Sequence, residues 1–330
     1  MDIALKIGST YTSIYLSGGG VVLREPTVIA FNGAPSENNI RAIGYDAQAM
    51  IGKAVDKIVI ISPIKNGVIT DEYSLALLLR RFIAKLYPPS YVFKPRIKAV
   101  MAVPLGIEPQ KRAVYENVAL SAGISHVSLV PSILMSGVGI DLPINSERGG
   151  IIVNIGGGLT EIAVFALSEI ISGYSVSIGG NMLDKAISDS LLGKYNLKIG
   201  LATARKLRED VGSLYKNDTA SMIVTGMDIT NKIPGKITVK SSDLYGILLP
   251  YYLKIADAVE NVIKACPPEI AGELFNGIWV TGGASKIPGL SEAFFDRLKL
   301  RVNLVEKPEL AAVVGGGKLI SNRQLLNEIS

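Results

Sequence analysis

The amino-acid sequence predicts an α/β protein with two lobes, each opening on its own glycine-bearing hairpin. Residues 6–16 read KIGSTYTSIYL, and residues 154–164 read NIGGGLTEIAV. The gapless alignment pairs Ile7 with Ile155, Gly8 with Gly156, Thr12 with Thr160 and Ile14 with Ile162. Such self-similarity is typical of a duplicated unit. Two halves of similar length therefore predict a molecule with a pseudo-twofold cleft.

Strand and helix patterns alternate along the rest of the chain, as expected of an α/β protein. Residues 71–87 predict a helix with Asp71 as N-cap, and residues 109–123 predict a helix ended by Gly123. Residues 97–105 read as a buried strand, and HVSLVPSILMSGVG reads as a strand leading into a helix. In residues 278–300 a strand, a glycine turn and a helix follow one another.

Breaks in this alternation predict the domain organisation. We assign residues 1–145 plus 306–330 to lobe I and residues 146–305 to lobe II. The segments at about 32–60 and about 185–250 interrupt the α/β order. We interpret them as smaller subdomains, one inserted in each lobe.

Composition limits the class of protein. The 330 residues are 48% hydrophobic and 19% charged, which predicts packed globular cores. The mean hydropathy is +0.35, but the longest apolar stretches are far shorter than a membrane span. The N-terminus has no leader pattern and reads as a strand, so we expect a cytoplasmic protein. The net charge of +5 is a mild bias towards anionic surfaces such as lipid and too weak to indicate nucleic acid.

Single residues exclude two kinds of chemistry. Cys266 is the one cysteine, so an internal disulfide is excluded, and His126 is the one histidine, so a histidine metal cluster is excluded. We assign Cys266 and Trp279 to the core, and His126 to the surface or to a helix cap.

Three glycine loops are the candidate ligand-binding elements. Each loop alone is more often a tight turn, but backbone N–H groups of such turns can also bind phosphate. Two duplicated hairpins across a cleft, with the loop at residues 281–284 for an adenosine, predict the actin-like (duplicated ribonuclease-H-like) fold. The alternative is a duplicated α/β protein whose cleft is empty.

Nearly the whole chain resembles the MreB family of bacterial actins. The similar segments are GVVLREPTVIAF, PIKNGVITD, AVPLGI, SIGGNMLDKAI, KYNLKIG, VTGGASKIPGL and ELAAVVGGGKLI. The resemblance implies four subdomains around an adenine-nucleotide cleft, and polymerisation into filaments.

The sequence departs from the family at positions that carry the chemistry. Lys6 and Asn154 each replace an aspartate, and Val130, before Pro131, replaces the glutamate that positions the attacking water. Arg205 replaces a glutamate of the adenosine-contacting helix, and Leu159 replaces a threonine of the second phosphate loop. Losing these acids removes the means to hold Mg²⁺ and polarise water. We therefore expect hydrolysis to be absent or vestigial, with no catalytic residue and no metal site.

Nucleotide binding is a separate expectation. The residues assigned to ATP or ADP are Gly8, Ser9, Thr12, Gly156, Gly157, Gly158, Thr160, Arg205, Arg208, Thr281, Gly282, Gly283 and Ala284. Lys6 can place an ammonium where the metal would sit, so binding is expected without Mg²⁺. The rival hypothesis is that Lys6 makes an internal salt bridge and the cleft is empty.

The segment PPSYVFKPRIK is the candidate membrane contact. Val92 and Phe93 stand beside Lys94 and Arg96, a combination that suits an anionic leaflet. The simpler interpretation is that both apolar side chains tuck into the lobe. The segment resembles the MreB loop that inserts two apolar side chains into the bilayer, which favours the membrane reading.

These observations predict an MreB-like cytoskeletal protein that forms filaments at the inner face of the membrane. Its expected partners are other copies of itself, the anionic membrane, and a conventional MreB or cell-wall synthesis proteins. One alternative is an active ATPase of the same superfold, such as a heat-shock chaperone or a sugar kinase. Another is a non-polymerising regulator that co-assembles with a conventional MreB.

Overall fold

The computed structural model describes residues 1–53, 57–87 and 95–330, and only the backbone at position 275. Among these residues the strands are β1 Asp2–Ile7, β2 Tyr11–Leu16, β3 Gly20–Pro26, β4 Ile29–Asn32, β5 Ile40–Ile43, β6 Ile58–Ile61, β7 Ile64–Lys65, β8 Val68–Ile69, β9 Lys98–Val103, β10 His126–Pro131, β11 Gly150–Ile155, β12 Thr160–Ala166, β13 Glu169–Val176, β14 Leu197–Lys198, β15 Ser221–Asp228, β16 Ile233–Lys240, β17 Ile278–Thr281 and β18 Val302–Leu304. The helices are α1 Gly44–Ala49, α2 Glu72–Ala84, α3 Pro109–Ser121, α4 Ser132–Gly139, α5 Gly180–Tyr195, α6 Leu201–Asp210, α7 Ser241–Lys264, α8 Pro268–Ala271, α9 Leu290–Leu298, α10 Ala311–Ser321 and α11 Arg323–Ile329.

The described chain forms two compact units. The first unit comprises residues 1–148, 165–170 and 310–330, and the second comprises residues 149–164 and 171–309. Each unit has its own apolar core around a five-stranded sheet.

The sheet of the first unit has the strand order β10-β9-β1-β2-β3. Strand β1 runs parallel to β9, and β9 parallel to β10, whereas β1–β2 and β2–β3 are antiparallel hairpin pairs. Side chains alternate between the two faces of a strand. Ile3, Leu5 and Ile7 accordingly share a core with helices α2 and α3. The even-numbered residues of β1 lie on the opposite face.

Helices α4 and α10 cover that opposite face in unusually close contact. A Cβ on Gly315 would lie 1.7 Å from the carbonyl oxygen of Met135, and one on Gly139 would lie 1.9 Å from that of Ala311. A Cβ on Gly316 would lie 2.6 Å from the Cβ of Ala4. Because the glycines of AAVVGGGKLI have no side chains, the backbone of α10 can pack directly against α4 and against the sheet.

The sheet of the second unit has the order β13-β12-β11-β17-β18. Strands β11, β17 and β18 run parallel. Strand β12 is buried along its whole length, and β11 is buried from its second residue on. Residues of α5, α6, α7 and α9 pack with this sheet in one core.

Two smaller sheets lie within the segments that break the α/β alternation. Strands β5-β4-β6 form an antiparallel sheet within residues 29–61 of the first unit, and β14-β15-β16 form one within residues 197–240 of the second. A two-stranded pair, β7–β8, precedes α2.

Several local predictions are confirmed. The Asp71 side chain accepts a 2.8 Å hydrogen bond from the N–H of Ser74 and caps α2. Helix α3 ends just before Gly123, which has a φ of +96°. His126 is exposed at the start of β10. The core assignment was wrong in degree for Cys266 and Trp279, because both are only half-buried. Trp279 lies between two buried residues of β17, so its side chain points to the other face of the strand.

No helix in the described ranges combines the length and the apolar character needed to cross a bilayer.

Candidate functional site

The two glycine hairpins close in the same way. The N–H of Gly8 donates to the carbonyl of Tyr11 at 2.9 Å, and the N–H of Gly156 donates to that of Leu159, also at 2.9 Å. These donors and acceptors occupy equivalent positions in the sequence alignment of the two hairpins. The duplication inferred from the sequence is therefore repeated in the hydrogen bonding of the turns.

A threonine pair holds the first hairpin. The Thr27 hydroxyl donates to the carbonyl of Gly8 at 2.8 Å and lies 3.0 Å from the hydroxyl of Thr12. Thr12 is fully buried, so in this unit its hydroxyl fixes the hairpin. Ser9, at the turn, accepts a 3.0 Å hydrogen bond from the N–H of Gly67, and its own hydroxyl proton is not used in that bond.

The second hairpin is joined to the first turn of α5. The carbonyls of Gly156 and Gly157 accept hydrogen bonds from the N–H groups of Gly180 and Asn181 at 3.0 and 2.7 Å. These donors would otherwise have no partner within the helix. A Cβ on Gly179 would lie 2.8 Å from the Gly157 carbonyl, so glycine is required where the chain passes the hairpin. Thr160 is buried and donates to the carbonyl of Ile178 at 2.7 Å.

Asn154 lies at the end of β11 and is bonded to an acid that sequence reasoning missed. Its amide nitrogen donates to a carboxylate oxygen of Glu161 at 2.8 Å, and both side chains are buried. The amide oxygen faces the third loop, where a Cβ on Gly282 would lie 2.6 Å from it. The signal for Glu161 was a charged residue inside a strand that is otherwise apolar apart from its first residue.

Lys6 and Val130 share one row of the first sheet. Lys6 pairs with Ala102 on β9, and Ala102 pairs with Val130 on β10. Paired residues of neighbouring strands point to the same face, with about 4.8 Å between strands. The two positions at which the resemblance implies acids therefore belong to one face of one sheet, where this chain has a cation and a fully buried apolar side chain.

The two arginines of α6 form an ion network inside the second unit. Arg205 and Arg208 donate to the two oxygens of the Asp184 carboxylate at 3.0 and 2.6 Å. Arg205 also donates to the side-chain oxygen of Asn181 at 3.0 Å. Burial by itself lowers the pKa of the Arg208 guanidinium, but the Asp184 carboxylate reverses this and leaves the pKa above its ordinary value.

The third loop follows β17 and carries the remaining predicted residues. Gly282 has a φ of +89°, and its N–H donates to the carbonyl of Pro308 at 2.9 Å. The hydroxyl of Tyr252 donates to the carbonyl of Ala284 at 2.7 Å, and burial raises the pKa of this tyrosine. The buried Thr281 hydroxyl has no hydrogen-bond partner among the described residues.

The second unit thus brings its predicted residues together. A Cβ on Gly180 would lie 3.2 Å from the Arg208 guanidinium and 3.8 Å from the Ala284 Cβ, so the start of α5, helix α6 and the third loop meet there. Asp184 and Tyr252 were missed, because nothing in a helical pattern distinguishes a buried polar residue from an exposed one. Val92, Phe93 and Lys94 lie outside the described residues; Arg96 is described and exposed.

Comparison with known proteins identifies the family. The family model of the MreB/Mbl protein matches residues 1–328. The chain is 32% identical to the cell shape-determining protein MreB of Escherichia coli K12, over 97% of this chain and 93% of that protein. The crystal structure of MreB5 of Spiroplasma citri, bound to ADP, superposes with a TM-score of 0.91 at 29% identity, covering 99% of this chain and 97% of that one.

A more distant structure extends the likeness of fold. The MamK double helical filament has a TM-score of 0.80 at 19% identity, over 97% of this chain and 99% of that one. The actin-like fold predicted from the hairpins is confirmed. The match along residues 1–328 shows that the chain belongs to the MreB/Mbl family.

Proposed function

We propose that this chain is a filament-forming cytoskeletal protein that binds adenine nucleotide without hydrolysing it and assembles on the inner face of the membrane. Membership of a family of cell shape-determining proteins supports the cytoskeletal part. The division into lobes at residues 1–145 plus 306–330 and 146–305 remains part of this proposal.

The hydrogen bond between Asn154 and Glu161 is the main observation that supports the proposed absence of hydrolysis. An amide that donates to a carboxylate is neutral, and it lacks the negative oxygen ligands that a divalent metal prefers. On the first sheet, Lys6 adds a positive charge and Val130 offers no group that orients water. Phosphoryl transfer to water needs both metal positioning and an oriented nucleophile.

Retention of binding is supported by the hairpins themselves. Both turns keep the closing hydrogen bond, and the N–H groups of Gly157 and Gly158 donate to no other described residue. Such turns bind phosphate oxygens. MreB5 of Spiroplasma citri, which shares the fold over 99% of this chain, was solved with ADP. The Lys6 ammonium supplies countercharge that Mg²⁺ would otherwise provide.

Membrane assembly rests on the segment around Val92 and Phe93. Insertion of two apolar side chains into a bilayer contributes about 3–5 kcal/mol of binding free energy before ordering costs. Each cation near an anionic membrane surface contributes about 1 kcal/mol. A single subunit then binds weakly, whereas a filament binds strongly because its contacts act together.

Electron microscopy of the purified protein, with phosphate release measured on the same sample, tests the proposal. Filaments that form with ATP, release no phosphate above background and persist on incubation are the expected result. Filaments that dissolve as ATP is consumed would contradict the absence of hydrolysis. A protein that forms filaments only with a conventional MreB would instead be a regulator.

A further inference from the structure

A second cation lies in the same row of the first sheet as Lys6. Lys6 pairs with Ser13 on β2, and Ser13 pairs with Arg24 on β3. The three side chains therefore point to one face, with Lys6 and Arg24 roughly 10 Å apart. The neighbouring row, Ala4 and Tyr15, is covered by the glycines of α10. The row that contains both cations is one step nearer to the Gly8 turn.

The Arg24 guanidinium packs against a residue of that turn. Its central carbon lies 3.9 Å from the ring centre of Tyr11, the residue whose carbonyl closes the first hairpin. Stacking on an aromatic face occupies the plane of a guanidinium but leaves its N–H edge able to bind an anion. No hydrogen bond or ion pair connects Arg24 with another residue in the described ranges.

The acid next to Arg24 in the sequence pairs with another cation. Glu25 is adjacent in β3, so it points to the opposite face, where it pairs with Lys85. Ser13, between the two cations, is buried and carries a neutral hydroxyl. In the second unit the positions equivalent to Lys6 and Ser13 are Asn154 and Glu161, which satisfy each other. Two cationic residues therefore occupy this row at the first hairpin, whereas the equivalent positions of Lys6 and Ser13 at the second hairpin carry none.

We propose that Lys6 and Arg24 form a two-cation site for the polyphosphate of a nucleotide, which takes over the charge neutralisation of a divalent metal. Arg24 supplies a planar fork suited to two phosphate oxygens, whereas Lys6 supplies a point charge. Tyr11 is a positioning residue that holds the guanidinium near the turn. The inference rests on the proposed nucleotide binding and names the groups responsible for it.

Calorimetric titration with inorganic tripolyphosphate and with ATP, both in EDTA, tests the site. Arg24→Gln is expected to weaken binding of both ligands about tenfold or more, and Arg24→Lys less, because it keeps the charge but loses the fork. Arg81→Gln is the matched control: Arg81 is exposed on α2, at the other face of the sheet, and its loss changes the net charge equally. The Arg81→Gln variant should bind both ligands with the affinity of the wild type.

Three results would overturn the inference. The first is unchanged affinity in Arg24→Gln, including the case in which only its melting temperature falls, which would make Arg24 a structural contact of Tyr11. The second is wild-type affinity that rises tenfold or more when Mg²⁺ replaces EDTA. The third is a wild type that binds neither ligand, which also contradicts the proposed nucleotide binding; the first two leave that binding intact.

Discussion

The side-chain amide of Asn154 donates a 2.8 Å hydrogen bond to the buried carboxylate of Glu161, across the two strands of the second hairpin. With an aspartate at position 154, two carboxylates would face each other in the same space. Two such groups can coexist if a cation lies between them or if they share a proton. The asparagine removes that requirement, because it supplies the donor itself.

Asn154→Asp is expected to destabilise the protein by about 2–4 kcal/mol at neutral pH in the absence of divalent metal. It replaces a charge-assisted hydrogen bond by the repulsion of two buried carboxylates. The loss should be smaller near pH 5, where one carboxyl can take up a proton and donate. Urea unfolding of the variant and the wild type at neutral pH and near pH 5 measures this difference in the free energy of unfolding. The double variant Asn154→Asp/Glu161→Gln restores a donor and an acceptor; if it is as unstable as the single variant, the explanation is wrong.

Asp184→Asn should be among the most disruptive single changes in the second unit. The buried Arg208 would lose its closer and buried charged partner and keep only the exposed Glu209 at 3.4 Å; breaking such a buried pair costs about 3–5 kcal/mol. Glu37→Gln is the control, since it breaks an ion pair with Arg80 in which both side chains are about half exposed. Thermal unfolding should show a large loss for the first variant and little change for the second. Equal effects would mean that burial of the pair is unimportant.

Gly315→Ala tests the close contact of α4 and α10. The added methyl group would lie 1.7 Å from a backbone carbonyl, so one helix must move, at a cost of about 3 kcal/mol or more. Gly193→Ala is the matched control: Gly193 is within α5 with open space around it, and alanine there should stabilise the helix by about 0.5–1 kcal/mol. Melting temperatures that fall for both variants would point to a general intolerance of helix glycines.

Phosphate release from ATP should not exceed background, with or without Mg²⁺. Restoring the acids singly, as Lys6→Asp, Val130→Glu or Asn154→Asp, should give no activity, because metal binding and water orientation act as a unit. Only the triple variant is expected to gain a measurable rate. A wild-type rate that depends on Mg²⁺ would refute the assignment of a non-hydrolysing protein.

Val92→Ser/Phe93→Ser should reduce co-sedimentation of filaments with anionic liposomes. Val22→Ser/Phe295→Ser is the control, as it removes a valine and a phenylalanine that are exposed elsewhere, at 43% and 51%. The control should pellet like the wild type. If the variant at 92 and 93 pellets undiminished, this segment is not the membrane contact.

Sequence reasoning predicted the parts of the site that depend on backbone geometry. The Gly8 and Gly156 turns, the cap by Asp71 and the order of strand, turn and helix around Gly282 follow from local residue preferences, which a sequence displays directly. The pairing of Lys6 with Ser13 follows once the first hairpin is placed.

The hydrogen-bond and ion-pair partners of the site residues could be identified only from the structure. Arg205 and Arg208 were assigned to the ligand, yet both bind Asp184, which is 21 and 24 residues away in the sequence. Such pairs depend on how α5 and α6 pack together, and helical periodicity does not specify the partner of a buried charge. The burial of Glu161 was hidden for the same reason, because its partner lies on the other strand of the hairpin.

The bonds from Gly156 and Gly157 to the start of α5 have a mechanical consequence. They fasten the turn to one end of α5, a helix about 24 Å long for 16 residues. Its far end is Asn196, in the left-handed conformation, whose carbonyl accepts from Ile229 beside the small sheet of β14, β15 and β16. The glycine turn and the small sheet are thus attached to opposite ends of the same helix.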